Sequence, residues 1–61
     1  EKQPTRSNLR PGKRMDHKRL GVGRVRRVFL EDDEIEIVFA DGIAKRLKLS
    51  ACLEASMLAF R

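Results

Sequence analysis

Along residues 34–39, apolar and polar positions alternate with a period of two. Ile35, Ile37 and Phe39 alternate with acidic side chains until Val38 interrupts the pattern. Such alternation is typical of a β-strand with one buried face. After residue 11 the chain shows this strand period rather than the helical one, so we predict an all-β domain.

Turn signals lie on both sides of this strand. The acidic run 31–34 is expected to form the turn after a strand that ends near Leu30. Asp41 and Gly42 follow the strand, and Asp-Gly between two apolar runs is a strong hairpin signal. A further strand is therefore predicted to open at Ile43.

The strand that opens at Ile43 places Leu47 and Leu49 on its inward face. Lys45 shares that face by alternation. We expect it near the start of the strand, where its aliphatic stem can lie on apolar surface while the ammonium group stays in water. The other side chains of this strand face outward: Ala44, Arg46 and Lys48.

The strand predicted over residues 23–30 is less regular. Val25 and Val28 are three positions apart, so strict alternation cannot bury both. A β-bulge at Arg26 and Arg27 would bury both valines and would curl the sheet toward closure. Near the C-terminus, residues 53–60 fit either a short last strand or one or two helical turns.

These elements predict five short strands around one core, in a small SH3-like barrel. Residues 1–11 are polar, contain two prolines and are expected to form a disordered, flexible linker. The barrel is assigned to residues 12–58 and a C-terminal tail to 59–61. The pattern assigns these residues to the core: Leu20, Val25, Ile35, Ile37, Phe39, Leu47, Leu49 and Leu53.

Charge is unevenly distributed along the 61 residues. Residues 1–27 carry ten Lys or Arg and two acidic residues, a net charge of +8. Residues 28–61 carry four basic and seven acidic residues, a net charge of −3. A basic surface attracts nucleic acid or an acidic protein surface, and salt screens the attraction. A solvated face needed for solubility is the alternative reading.

Candidate chemistry is sparse. Cys52 has no second cysteine to pair with, and together with His17 it cannot supply a closed zinc site. We expect Cys52 to be a small buried apolar residue. We expect His17 to be a packing or hydrogen-bonding residue, because no acidic or nucleophilic group is placed with it as a catalytic partner. We expect no catalysis, cofactor, metal or small-molecule ligand in this chain.

The setting of the protein is also an expectation. No apolar run approaches the roughly 20 residues of a membrane span, and a lone cysteine fits a reducing compartment, so a cytoplasmic protein is expected. We also expect a monomer. The chain begins with Glu1 and not with methionine, which indicates a fragment of a longer protein.

Residues 12–54 resemble the C-terminal Tudor-like domain of UvrD/PcrA/Rep-type bacterial superfamily 1 DNA helicases. That family typically reads G-x-R-V-x-H-x-x-F-G-x-G-x-V, then V-x-F, G-I-K-x-L and an apolar-Glu pair. Here Ala44 is a one-residue insertion in the G-I-K motif, and the aromatic before the final pair is missing. The matching residues are Gly12, Arg14, Met15, His17, Leu20, Gly21, Gly23, Val25, Ile35, Ile37, Phe39, Gly42, Ile43, Lys45, Leu47, Leu53 and Glu54.

The resemblance implies a non-catalytic accessory domain of an ATP-dependent DNA helicase. Such a domain is tethered to the motor and binds RNA polymerase or DNA-repair proteins in the bacterial cytoplasm. The match to the G-I-K motif makes Lys45, with Arg46 and Lys48 on the same strand, the candidate partner-binding residues.

The alternative is a stand-alone basic nucleic-acid-binding SH3-like module of a transcription or repair factor. Without Trp or Tyr the chain lacks a stacking platform, so only weak, salt-sensitive backbone contact is predicted. The candidate nucleic-acid contacts are Lys13, Arg14, Lys18, Arg19, Arg24, Arg26 and Arg27.

Overall fold

Five antiparallel strands form one sheet in the computed structural model, which describes residues 3–61. The strand order is β4-β3-β2-β1-β5, so β4 and β5 are the edges of the sheet. This arrangement confirms the predicted small all-β, barrel-like fold. In chain order the elements are β1 (Arg14–His17), β2 (Gly21–Phe29), a 3-10 turn (Leu30–Asp32), β3 (Glu34–Phe39), β4 (Ala44–Lys48), α1 (Leu49–Glu54) and β5 (Leu58–Phe60).

The turn between β3 and β4 is the hairpin that Asp-Gly predicts. Gly42 has a φ of 84°, a left-handed conformation that glycine adopts without a steric cost. Its N–H donates to the Phe39 carbonyl at 2.8 Å, and the Asp41 carboxylate accepts from the Ile43 N–H at 2.9 Å. These bonds close the turn and set the register of β4 against β3.

A bulge in β2 lies at the predicted position. Val25 is opposite Ile37 and Arg27 is opposite Glu36, which leaves Arg26 without a partner residue in β3. Because of this extra residue, Val25 and Val28 both lie on the core side of the sheet. The bulge prediction is therefore confirmed.

The core lies between the inner face of the sheet and α1. Five of the eight predicted core residues are buried, and Leu47 and Leu53 pack against them while partly exposed. Leu20 was predicted wrongly, because it lies in the β1–β2 turn and is 39% exposed. The buried apolar residues are Leu9, Met15, Val25, Ile35, Ile37, Phe39, Leu49, Cys52 and Leu58.

The described part of the N-terminal segment packs on the barrel. Leu9 is only 5% exposed and belongs to the core, and the Arg6 guanidinium donates to the Asp33 carboxylate. The prediction of a flexible linker over residues 1–11 is thus wrong for the part around Leu9, because Leu9 and Pro4 are buried and Arg6 contacts Asp33. Residues 1 and 2 lie outside the described residues.

The C-terminal boundary also differs from the prediction. Residues 53–60 contain both of the expected alternatives, since α1 ends at Glu54 and a strand follows. This strand, β5, continues to Phe60, which pairs with Met15 of β1. The barrel therefore ends two residues later than the predicted boundary at 58, because residues 59 and 60 complete the β1–β5 pairing.

Candidate functional site

His17 is a structural residue of the β1–β2 turn. Its Nδ1 accepts the backbone N–H groups of Arg19 and Leu20, each at 3.1 Å. Its ring meets Phe39 edge to face, with 6.1 Å between ring centroids. Burial, and secondly the charge of Arg19, lowers the pKa of His17, which favours the neutral ring that these bonds require. The predicted hydrogen-bonding role is confirmed.

The glycines of the same hairpin also have structural roles. Gly21 has a φ of 87°. Gly23 has ordinary backbone angles but no room for a side chain, since a Cβ there would lie 2.6 Å from Cγ2 of Ile37. Gly21 thus supplies a positive φ in this hairpin, and Gly23 allows a close approach of the backbone to the core.

Cys52 is buried, as predicted, and burial raises the pKa of its thiol. A thiol held in its protonated form is a poor nucleophile and a poor metal ligand.

Within residues 3–61, no group of three or more His, Cys, Asp or Glu side chains could hold a metal ion. No helix in the same range is long and apolar enough to span a membrane.

The three candidate partner-binding cations of β4 do not share one face. Lys45 is opposite the buried Ile37, whereas Arg46 and Lys48 are opposite Glu36 and Glu34. Since cross-strand partners lie on the same side of a sheet, Lys45 extends from the core side and the other two from the outer side. Lys45 is nevertheless exposed, because β4 is an edge strand.

Arg46 and Lys48 are already engaged within the domain. Both approach the Glu34 carboxylate, with nitrogen–oxygen distances of 3.0 Å for Arg46 and 3.8 Å for Lys48. The Arg46 guanidinium also lies 4.1 Å from the centre of the Phe29 ring, a cation–π contact. Lys45, by contrast, has no carboxylate within 4 Å among residues 3–61.

An exposed apolar residue lies beside Lys45. Ile43 is 54% exposed at the end of the β3–β4 turn, two positions before Lys45. The sequence predicts Ile43 as the start of a strand and does not mark it as a binding residue. The available signal was its position directly after Asp41 and Gly42, where a large apolar side chain has little to pack against.

The seven candidate nucleic-acid contacts occupy several places. Lys18 and Arg19 lie in the β1–β2 turn, and Lys13 lies 5.8 Å from the centre of the Phe60 ring. Arg26 and Arg27 are at the bulge, where Arg26 pairs with Glu36 at 3.6 Å. The two remaining cations, Arg14 and Arg24, are directly opposite each other in the β1–β2 pairing.

Arg14 and Arg24 share a groove with Arg61, which the sequence analysis did not select. The Arg61 N–H donates to the Arg14 carbonyl at 3.2 Å, and the Arg61 guanidinium contacts both Asp16 carboxylate oxygens, at 3.0 and 3.2 Å. The groove has a volume of about 220 Å³. The three arginines line it together with Val22, Gly23, Val38, Phe39 and Ala40. The β1–β5 pairing brings Arg61 to the groove, and no local sequence pattern indicates that Arg61 lies near Arg14 and Arg24.

No protein-family model, no curated protein and no solved structure matches this chain.

Proposed function

We propose that this chain is a non-catalytic accessory domain of a UvrD/PcrA-like, ATP-dependent DNA helicase of the bacterial cytoplasm. In this proposal it is a protein-interaction module for RNA polymerase or DNA-repair proteins. The resemblance of residues 12–54 supports the parentage, and the small barrel-like fold is compatible with it.

The observation that carries the protein-interaction role is the exposure of both Ile43 and Lys45, two positions apart where the β3–β4 turn leads into β4. An exposed apolar side chain close in sequence to an exposed charge that has no carboxylate within 4 Å in the described part of the chain is a surface that a complementary protein can bind. Ile43 would fill an apolar depression on the partner, and Lys45 would meet a carboxylate. We refer to Ile43 and Lys45 as the β4 tip.

The position of the β4 tip also favours a protein partner. It lies at the start of an edge strand, and β4 is hydrogen-bonded in the sheet only to β3. A partner can therefore approach from the open side without displacing a neighbouring strand. Arg46 and Lys48, held by Glu34, contribute to the positive field around the site rather than to a direct contact.

Binding of the chain to core RNA polymerase tests this proposal. Ile43→Ser and Lys45→Glu are expected to weaken binding by about tenfold or more each, since a hot-spot residue contributes about 2 kcal/mol. Leu30→Ser is a matched control, because Leu30 is equally exposed at the opposite end of β3. Lys18→Glu controls for net charge. Equal losses in all four variants, or no binding by the native chain, would contradict the proposal.

Contact with nucleic acid is the second candidate function. It is favoured by the exposed cations of the β1–β2 hairpin, among which Arg14, Arg24, Lys18 and Arg19 have no carboxylate within 4 Å in the described part of the chain. Such a surface attracts the phosphate backbone in a sequence-independent, salt-sensitive way.

A further inference from the structure

The Arg14–Arg24 pair is electrostatically unfavourable in the free domain. The two residues are directly opposite each other in neighbouring antiparallel strands, and like charges so placed repel. No carboxylate within residues 3–61 lies within 4 Å of either guanidinium. An anion bound between them would relieve this repulsion.

We propose that the groove lined by Arg14, Arg24 and Arg61, called here the arginine groove, binds the phosphate backbone of DNA. This proposal gives the second candidate function a defined site, and it does not depend on whether the β4 tip binds RNA polymerase. Guanidinium groups present several N–H donors in a plane and suit the paired oxygens of a phosphodiester. A groove of about 220 Å³ accommodates a phosphate with part of its sugar.

The strand order argues against a peptide in the arginine groove. An extended peptide gains affinity by adding a strand to an open sheet edge. The strands that line the groove, β1, β2 and β3, each have hydrogen-bonded neighbours on both sides. Their backbone N–H and C=O groups are therefore already hydrogen-bonded within the sheet, so a ligand in the arginine groove binds through side chains. Phosphate backbones are bound mainly in that way.

The lining of the groove also defines what kind of nucleic-acid contact is made. Its aromatic residue, Phe39, is 5% exposed and offers no face on which a base could stack. The floor formed by Val22, Val38 and Ala40 has no side-chain donor or acceptor for base edges. The contact is therefore made with phosphate and sugar, without sequence preference.

Asp16 determines how much of the Arg61 guanidinium is available to a ligand in the groove. In the free domain the Asp16 carboxylate forms an ion pair with the Arg61 guanidinium, and this ion pair holds Arg61 at the groove. A phosphate competes with this carboxylate for Arg61. Removal of the carboxylate with Asp16→Asn is therefore expected to strengthen DNA binding rather than weaken it.

Fluorescence anisotropy with a labelled duplex of about 20 base pairs, between about 50 and 200 mM salt, tests the proposal. The double variant Arg14→Gln/Arg24→Gln is expected to weaken binding about tenfold and to reduce the salt slope by about two. Arg26→Gln/Arg27→Gln is the matched control, because it removes the same charge from the same β1–β2 hairpin, outside the groove. It is expected to lower affinity by less than about threefold. Thermal unfolding checks that both variants fold.

Three outcomes would overturn the proposal. They are equal losses in the two double variants, no measurable binding of the duplex, and binding of a polyglutamate peptide that is tighter than DNA and lost in Arg14→Gln/Arg24→Gln. The same variants are assayed against core RNA polymerase. Loss of DNA binding with retained polymerase binding separates the arginine groove from the β4 tip, so each proposal can fail without the other.

Discussion

Gly23 and Phe39 are directly opposite each other in the β2–β3 pairing, and they are too close for any side chain at position 23. A Cβ on Gly23 would lie 2.9 Å from Cδ1 of Phe39 and 2.6 Å from Cγ2 of Ile37. The glycine thus leaves room for the side chains of Ile37 and Phe39. The His17 ring packs edge to face against Phe39.

Gly23→Ala is expected to lower the free energy of unfolding by about 1–3 kcal/mol, because the added methyl group overpacks the core. Urea denaturation measures the change. Ile37→Leu removes the nearest methyl group, so Gly23→Ala should cost less in the Ile37→Leu background than in the native one. A fully additive double variant would show that this contact is not the source of the loss.

Leu9→Ala is expected to lower the free energy of unfolding by about 2 kcal/mol or more, because it leaves a cavity in the core. Leu20→Ala, at an exposed turn position, is the control, with an expected change within about 0.5 kcal/mol. Thermal or urea denaturation distinguishes the two. No effect of Leu9→Ala would mean that the N-terminal segment is a loose tether after all.

Asp33, which follows the 3-10 turn, contacts both the N-terminal segment and α1, and its carboxylate should make the free energy of unfolding depend on pH at low pH. Its carboxylate accepts the Ser50 hydroxyl and N–H groups and the Arg6 guanidinium, and its carbonyl accepts the Leu49 N–H. The Ser50 hydroxyl contributes most to the lowered pKa of Asp33, and Arg6 adds to it. This stabilisation is present above the pKa of Asp33 in the unfolded chain and is lost as the pH falls through the lower folded value.

Carboxyl NMR titration checks the effect at Asp33 directly. Ser50→Ala should raise the pKa of Asp33 toward its ordinary value. Ser7→Ala should not, because it removes an exposed hydroxyl whose hydrogen bond within residues 3–61 is to the Thr5 hydroxyl. An unchanged Asp33 titration in Ser50→Ala would show that the hydroxyl does not set this pKa.

The lowered pKa of His17 leads us to expect a second pH dependence of the free energy of unfolding, at higher pH than the one from Asp33. Because the pKa of His17 is lowered in the fold, protonation favours the unfolded chain. Its contribution to stability is complete above about pH 6.5 and declines as the pH falls toward the lower folded value. Asn accepts hydrogen bonds but does not titrate, so His17→Asn should flatten this part of the stability profile. Denaturation at several pH values measures the slope, and an equal slope in the variant would contradict the assignment.

The sequence was informative where local chemistry decides the structure. The alternation of Ile35, Ile37 and Phe39, the Asp-Gly turn and the bulge at Arg26 all follow from spacing, and all are confirmed. The structural role of His17 followed from the lack of a catalytic partner group for it in the sequence. Each of these features depends on residues close to one another along the chain.

The sequence was uninformative where distant residues meet. Leu9 lies in the core although its neighbours are polar, and Arg61 reaches Arg14 only after β5 has paired with β1. Glu34 forms an ion pair with Arg46 across the β3–β4 pairing. A count of charges along the sequence does not reveal this ion pair. Charge composition therefore predicted a basic surface but not which cations are free to bind.

The β4 tip as a contact for a protein partner is tested most directly by transferred cross-saturation NMR. Saturation of core RNA polymerase, with the labelled chain in excess, attenuates signals of residues at the interface. We predict that attenuation is strongest at residues 43–45 and absent at Leu30 and in the arginine groove. Attenuation confined to the groove or to the β1–β2 turn, or none at all, would contradict the proposed function.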